Sequence, residues 1–178
     1  MKKSIASSLR FLLLSILVFG GLYTALVTGL GQLFFPQEAN GSQIIVKGQT
    51  VGSKLIGQEF DQPRYFSGRP GKVSQLSPVS TEQGKKVADR TKQQLQENPT
   101  EKQVPNDLVT ASASGVDPDI SVAAAEFQAN RIAKERQTNP GKIHAIIEKN
   151  SQKDWFSQRR FVNVLALNLA LDRAMPIK

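Results

Sequence analysis

Apolar and polar positions divide the chain into one long unbroken hydrophobic block and a longer region of short alternating patterns. The block runs from Phe11 to Phe35, twenty-five residues without an Asp, Glu, Lys, Arg or His. At about 1.5 Å rise per residue, roughly 20 residues cross a hydrocarbon core of ~30 Å, so the block is long enough to span a bilayer with some tilt. A cleaved secretory signal is the alternative, but its apolar core is typically about 7–15 residues and ends at a small-x-small site. Here the distal end reads Gly31-Gln32-Leu33-Phe34-Phe35, with aromatics where a cleavage region is polar. The pattern therefore predicts an uncleaved anchor over 11–35, a short N-terminal segment over 1–10, and one domain over 36–178.

Beyond the block the periods are shorter. Residues 36–42 read as a polar exit from the bilayer. Ser42–Lys47 carries a β-branched centre, Gly48-Gln49-Thr50 reads as a turn, and Val51–Phe60 is expected to pair back as a second strand. Residues 61–80 read as ordered loop around Tyr65-Phe66 and Arg69-Pro70, with a loop-like stretch from Gly71. Thr81–Glu97 has helical spacing and is stopped by Asn98-Pro99. Leu108–Ser112 is expected to be a short strand. A helix then runs to about Gln137, capped by Asp117 or by Ser121. Its packed face comprises Ala124, Phe127, Ile132 and the stem of Arg131. Asn139-Pro140 opens another helix through about Asn150; Phe161–Val164 reads as a strand and Leu165–Ala174 as a final helix. The fold class expected is a single N-terminal transmembrane helix plus one mixed α/β extracytoplasmic domain.

Within the span, Gly21, Ala25 and Gly29 recur every four residues and stack on one helix face. Small residues at that spacing let a second helix approach closely, because packing holds helices together in lipid. These three are the candidate subunit-docking positions. Charge sets the orientation. Lys2, Lys3 and Arg10 precede the span without an acidic residue among them, which keeps the N-terminus cytoplasmic and places the domain outside.

The formal net charge is +8. Its cations are scattered among acids, with no arginine-rich run or aromatic-basic platform, so a nucleic-acid partner is not expected. The chain has no cysteine and one histidine, His144, which excludes disulfides, thiolate sites and multi-histidine zinc sites. His144 reads as a surface or half-buried helix residue, and no metal site is expected. Gly52 and Gly57 have the spacing of a phosphate loop, but Gln58 and Glu59 stand where Lys and Ser/Thr must be. The glycines are read instead as backbone freedom or tight approach. Asp117 and Asp119 alternate like the start of a calcium loop but lack its Gly and distal Glu. Ser112, Ser114 and Ser121 have no histidine at local spacing, and no catalytic residue is assigned. Gln128 and Arg131 share a helix face, a pair that could bind an anion or anchor the helix to a loop carbonyl.

Several stretches together resemble one family. They are Gly52-Ser53-x-Leu-Ile-Gly57-Gln58-x-Phe, Tyr65-Phe66-x-x-Arg69-Pro70, and Leu-Val-Thr-Ala-Ser112-Ala-Ser114-Gly115-x-Asp117. The pattern continues in Ala124-Ala125-x-x-Gln128-x-x-Arg131-x-Ala133-x-x-Arg136 and Val-Asn163-Val-Leu-x-Leu-Asn168-Leu-Ala-Leu-Asp172. In collinear order over nearly the whole chain these resemble KdpC, the C subunit of the bacterial Kdp potassium-transporting ATPase. Two positions depart: Gly71 stands where the family usually has Ser, and a longer Gly/Ser/Asn-rich stretch is shortened to Gln75–Thr81.

The resemblance implies a non-catalytic accessory subunit of an ATP-driven high-affinity K⁺ pump in the bacterial plasma membrane. Its partners would be a channel-like subunit that takes up K⁺ and a P-type ATPase subunit. The chain would be needed for assembly and stabilisation, and would act as a catalytic chaperone that raises the pump's affinity for ATP. No covalently bound cofactor is implied; ATP enters through the complex, with Gln128 or Gln58 as the family's nucleotide-binding candidates. The alternative is a stand-alone membrane-anchored nucleotide-binding protein. An outward-facing domain conflicts with direct contact to cytoplasmic ATP, so the expected route is coupling through partner subunits.

Overall fold

The computed structural model describes residues 2–71 and 75–176, and the chain divides into two compact units, 1–43 and 44–178. In the first unit, α1 (Lys2–Ser15) continues through a π-helical stretch (Ile16–Tyr23) into α2 (Thr24–Phe34). From Lys3 to Phe34 this is one helix, long and apolar enough to cross a membrane. The run begins eight residues before Phe11, because Lys3–Arg10 contains no helix breaker. Phe35 leaves helical geometry, and Pro36 opens the short α3 (Pro36–Ala39). Asn40 reaches back to Gln32, the two side-chain amides exchanging hydrogen bonds of 3.1 and 3.3 Å.

A hairpin of β1 (Gln43–Val46) and β2 (Gln49–Ser53) follows, all but Gln43 of it in the second unit. Lys47 and Gly48 both have positive φ, 51° and 80°, the geometry of a type I′ turn, whose twist matches that of paired strands. The turn therefore starts one residue earlier than the pattern predicts, and Gln49 and Thr50 already belong to β2. The second strand also stops at Ser53 instead of reaching Phe60. Ser53 Oγ accepts from the Leu55 amide at 3.1 Å, and Gly57 leaves strand geometry to donate its N–H to Val116 O at 2.7 Å.

After α4 (Thr81–Glu97), capped by Ser80, the expected strand over Leu108–Ser112 is absent. A single 3₁₀ turn, Asn106–Leu108, stands at its start, and Arg69 and Arg90 occupy the carbonyls of 109–111 that a neighbouring strand would use. Three short strands form an antiparallel sheet in the order β3-β5-β4: β3 (Asp119–Ser121), β4 (Gln152–Lys153) and β5 (Arg160–Asn163). Ile120 faces Val162 and Ser121 faces Phe161, while Gln152 pairs with Phe161 on the other edge.

Helices α5 (Val122–Glu135), α6 (Pro140–Asn150) and α7 (Val164–Ala174) each pack against β5. Ser121, not Asp117, caps α5, its Oγ accepting from Ala124 N at 3.1 Å; Asn139 and Asn163 cap α6 and α7 in the same way. The core gathers Phe66, Ile120, Phe127, Ile132, Ile143, Ile147, Val162, Leu167 and Leu171. Alanines at 124, 125, 129 and 133 leave room for α6 to lie close to α5.

Candidate functional site

Two polar residues of the motifs, Gln128 and Asn168, meet along the loop that carries Tyr65, Phe66 and Ser67. That loop has no strand partner, yet its backbone is fully engaged. The Asn168 amide, from α7, grips Phe66 at both ends: Phe66 N donates to Oδ1 and Nδ2 donates to Phe66 O, each at 2.9 Å. The Gln128 amide, from α5, does the same for Ser67, at 2.9 Å and 3.1 Å. Two side-chain amides thus stand in for the peptide groups of an adjacent strand, and Phe66 is pinned into the core with no exposed surface. Gln128 Oε1 also accepts from Ser67 Oγ and Arg131 Nη2, and its Nε2 donates to Ala124 O as well.

Arg131 extends the clamp. It donates to Asn98 Oδ1, Tyr65 O and Pro63 O, so the Gln128–Arg131 pair anchors a helix to loop carbonyls. Burial pushes the Arg131 guanidinium below its ordinary range, though it stays a cation at any physiological pH. Next along α5 and its C-cap, Arg136 pairs with Asp172 at 2.8 Å, lies 5.0 Å over the Tyr65 ring, and donates to Arg64 O. Tyr65 Oη donates to the other Asp172 oxygen at 2.9 Å. Burial and then the Asp172 hydrogen bond raise the Tyr65 hydroxyl above its usual range, which keeps it a donor.

A second cluster surrounds Arg69. Its guanidinium meets Asp117 at 3.1 Å and donates to Thr110 O and Ala111 O. Ser112 Oγ accepts from Gly115 N, and Ser114 Oγ from Val116 N, so both serines shape a turn. Asp117 spends one oxygen on Arg69 and the other on the Asp119 amide. The expected capping role of Asp117 is thus replaced by an ion pair that ties two loops. A Cβ on Gly57 would collide with the Asp117 carbonyl, so Gly57 serves close backbone approach, whereas one on Gly52 would run into the side chains of Gln58 and Leu165. At Gly71 a Cβ would meet the Glu59 carboxylate, the end of an exposed, flexible side chain that can move aside. Asn163 donates to Lys54 O and to Asp119 while it caps α7. Burial holds the Asp119 carboxyl above the ordinary carboxylate range.

The two nucleotide candidates are not alike. Gln128 is fully buried, with its amide engaged as described. Gln58 is exposed, donates to Val51 O at 3.0 Å, and lines a cleft of about 330 Å³ with Glu59, Asp61, Arg69 and Arg90. His144 is exposed on α6 and pairs with Glu126. Among the described residues no group of three or more His, Cys, Asp or Glu is placed to hold a metal ion. Gly21 and Gly29 have open space where a Cβ would stand. Gly21 lies inside the π-helical stretch, whose i→i+5 bonds wind differently, so the uniform α-helical stacking expected of Gly21, Ala25 and Gly29 holds only from Thr24 onward.

Two residues outside the sequence-derived set complete these clusters. Asn98, read as a helix stop, is buried and receives Arg131. Asp107 accepts the Ser121 amide at 2.8 Å and steadies the start of α5. Only their place in the fold identifies them.

This arrangement is a scaffold of clamps around a loop. The model for the K⁺-transporting ATPase c chain, KdpC, matches residues 5–173. The chain belongs to the KdpC family. The potassium-transporting ATPase KdpC subunit of Yersinia enterocolitica is 44% identical, the match covering 94% of this chain and 91% of that subunit. The KdpC subunit of Serratia proteamaculans is 42% identical over 93% of this chain and 95% of its own length. That of Leptospira interrogans is 40% identical over 94% and 93%. The KdpC match thus takes in both units, from the apolar helix to the last turn of α7.

Proposed function

We propose that the chain is a non-catalytic accessory subunit of an ATP-driven, high-affinity K⁺ uptake pump. It holds a channel-like subunit and a P-type ATPase subunit in one complex. The observation that carries this reading is the collinear KdpC match over residues 5–173. The engagement of the motif side chains within the fold supports it: Gln128, Arg131, Asn163, Asn168 and Asp172 brace loops and helix ends, the work of a rigid docking body.

In this reading the N-terminal helix is the single span of a plasma-membrane protein, and its basic flank keeps the N-terminus cytoplasmic. The domain then lies outside. An effect on ATP affinity, the chaperone role of the family, reaches the ATPase subunit as a coupling free energy of about 1–3 kcal/mol through shared interfaces. Burial of Gln128 favours this route over direct contact. A stand-alone nucleotide-binding protein is disfavoured, since Gln58 and Glu59 replace the phosphate-loop Lys and hydroxyl.

Two measurements test the proposal. A tagged chain is expected to co-purify both partner subunits, and cells without it to lose growth at limiting K⁺; normal pump assembly in its absence refutes the accessory role. Protease added to right-side-out vesicles is expected to degrade residues 44–178. Full protection there refutes the outward orientation and restores direct ATP contact.

A further inference from the structure

The turn between β4 and β5 presents Trp155 and Phe156 side by side at 85% and 93% exposure, the most exposed aromatic pair of the second unit. Such exposure is costly unless something covers it. The turn is also braced. Asp154 Oδ1 accepts from the amides of Phe156 and Ser157 at 2.7 and 2.8 Å. Asp154 N donates to Arg159 O at 2.8 Å, and Gln158 Nε2 to Trp155 O at 2.9 Å. The aromatics are therefore held out by a fixed backbone, so little ordering entropy is lost when they are buried.

Charge complementarity identifies the occupant. From Glu148 to Arg160 there are four cations, Lys149, Lys153, Arg159 and Arg160, against two acids, Glu148 and Asp154. Glu148 is engaged by Arg160; among the described residues neither Lys153 nor Arg159 has a carboxylate within salt-bridge distance, and Arg159 acts on Asp154 only at longer range. An indole and a phenyl ring flanked by unpaired cations match an anionic bilayer surface: rings at the headgroup level, ammonium and guanidinium groups on phosphates. A helix able to span a membrane is covalently joined to this domain, which keeps the tip at high effective concentration near lipid on whichever side it lies.

We propose that the β4–β5 turn is a membrane-docking tip, which seats Trp155 and Phe156 in the interface of an anionic bilayer with Lys153 and Arg159 on its headgroups.

Trp155 is the chain's only tryptophan, so its fluorescence reports the tip alone. The full chain is reconstituted in vesicles of phosphatidylcholine, with or without phosphatidylglycerol, using lipids brominated along the acyl chains. With phosphatidylglycerol, bromine is expected to quench Trp155 and acrylamide to lose access to it. Lys153→Gln and Arg159→Gln are each expected to lower the ratio of docked to free tip about fivefold, and Phe156→Ser about tenfold or more. The comparison of the two lipids requires no variant. A Trp155 open to acrylamide and untouched by bromine in phosphatidylglycerol vesicles overturns the proposal. Equal quenching in both lipids overturns it as well. So does protection that arises only when partner subunits are added, which would assign the tip to a protein surface.

Discussion

Gln128 illustrates how a polar side chain is placed in a core without penalty. Its amide makes two backbone contacts to Ser67, receives Arg131, and returns a bond to its own helix. Gln128→Ala strands the half-buried Ser67 peptide groups and one arm of the half-buried Arg131 guanidinium. At about 1–3 kcal/mol for each buried group left unsatisfied, the expected cost is roughly 3 kcal/mol, or about 6–12 °C in thermal unfolding of the detergent-solubilised chain followed by circular dichroism. An unchanged transition would show that the loop is not held there. Asp119 gives the opposite case. Burial raises its carboxyl, with Asn163 opposing and Asp117 adding to the rise. The folded state thus binds this proton more tightly than the unfolded chain does. Stability from this group is fullest below the ordinary carboxylate value and is lost as pH rises through the folded one. Asp119→Asn keeps an acceptor for Asn163 and removes the charge. It is expected to raise the unfolding temperature at neutral pH and leave it little changed in strong acid; a variant equally destabilised at both would refute the assignment.

Elements follow the same logic, and Asn163 joins three of them. It ends β5, caps α7 through Ala166 N at 3.1 Å, and donates to Lys54 O at the hairpin exit. Asn163→Ala is expected to cost roughly 2–3 kcal/mol, about 1 for the cap and the rest for the unsatisfied carbonyl. Asn163→Asp keeps the capping oxygen but loses the donor and faces Asp119, so the cap alone does not rescue it; equal stability of Asp and wild type would mean that only capping matters. How far elements were legible in the sequence follows from where their stability originates. Thr81–Glu97 and Pro140–Asn150 carry their own caps and stops, Ser80 and Asn139 at the start and Asn98-Pro99 after the first, so pattern alone located them. Asp119-Ile120-Ser121 has little strand character and becomes β3 only by pairing with β5. Conversely, Leu108–Ser112 looks extended, yet its carbonyls are taken by two arginines from elsewhere. The anchoring use of Gln128 and Arg131 was one of two readings the helix spacing allowed. That their targets are Ser67 and Pro63 was not legible, because the loop residues lie some sixty positions away.

On the scale of the whole molecule, the two units pose different physical problems. The second is closed by its own core and clamps, whereas the first is one long helix with a short one after it, and its apolar side chains are almost all exposed. Lipid satisfies that exposure, but lipid does not select a partner; close packing of small residues can. Gly29 is the informative position. A Cβ there meets nothing within 4 Å, so the chain itself does not oppose a larger residue. Gly is about 0.8–1.0 kcal/mol less favourable than Ala in a helix interior and Leu ranks just below Ala, so Gly→Leu even favours the helix. Gly29→Leu should therefore leave helix content and membrane insertion intact. If a partner helix lies against this face, the added side chain overpacks the interface by about 1–3 kcal/mol and reduces co-purification of the pump subunits five- to roughly a hundredfold. Val27→Phe, on the opposite side of the same α-helical turns, adds comparable bulk toward lipid and is expected to change nothing. Equal recovery of partners with both variants would refute docking through the small-residue face. Loss with both would mean that the helix is surrounded, and a single-span anchor surrounded by protein has a different place in the complex from one that touches it along one stripe.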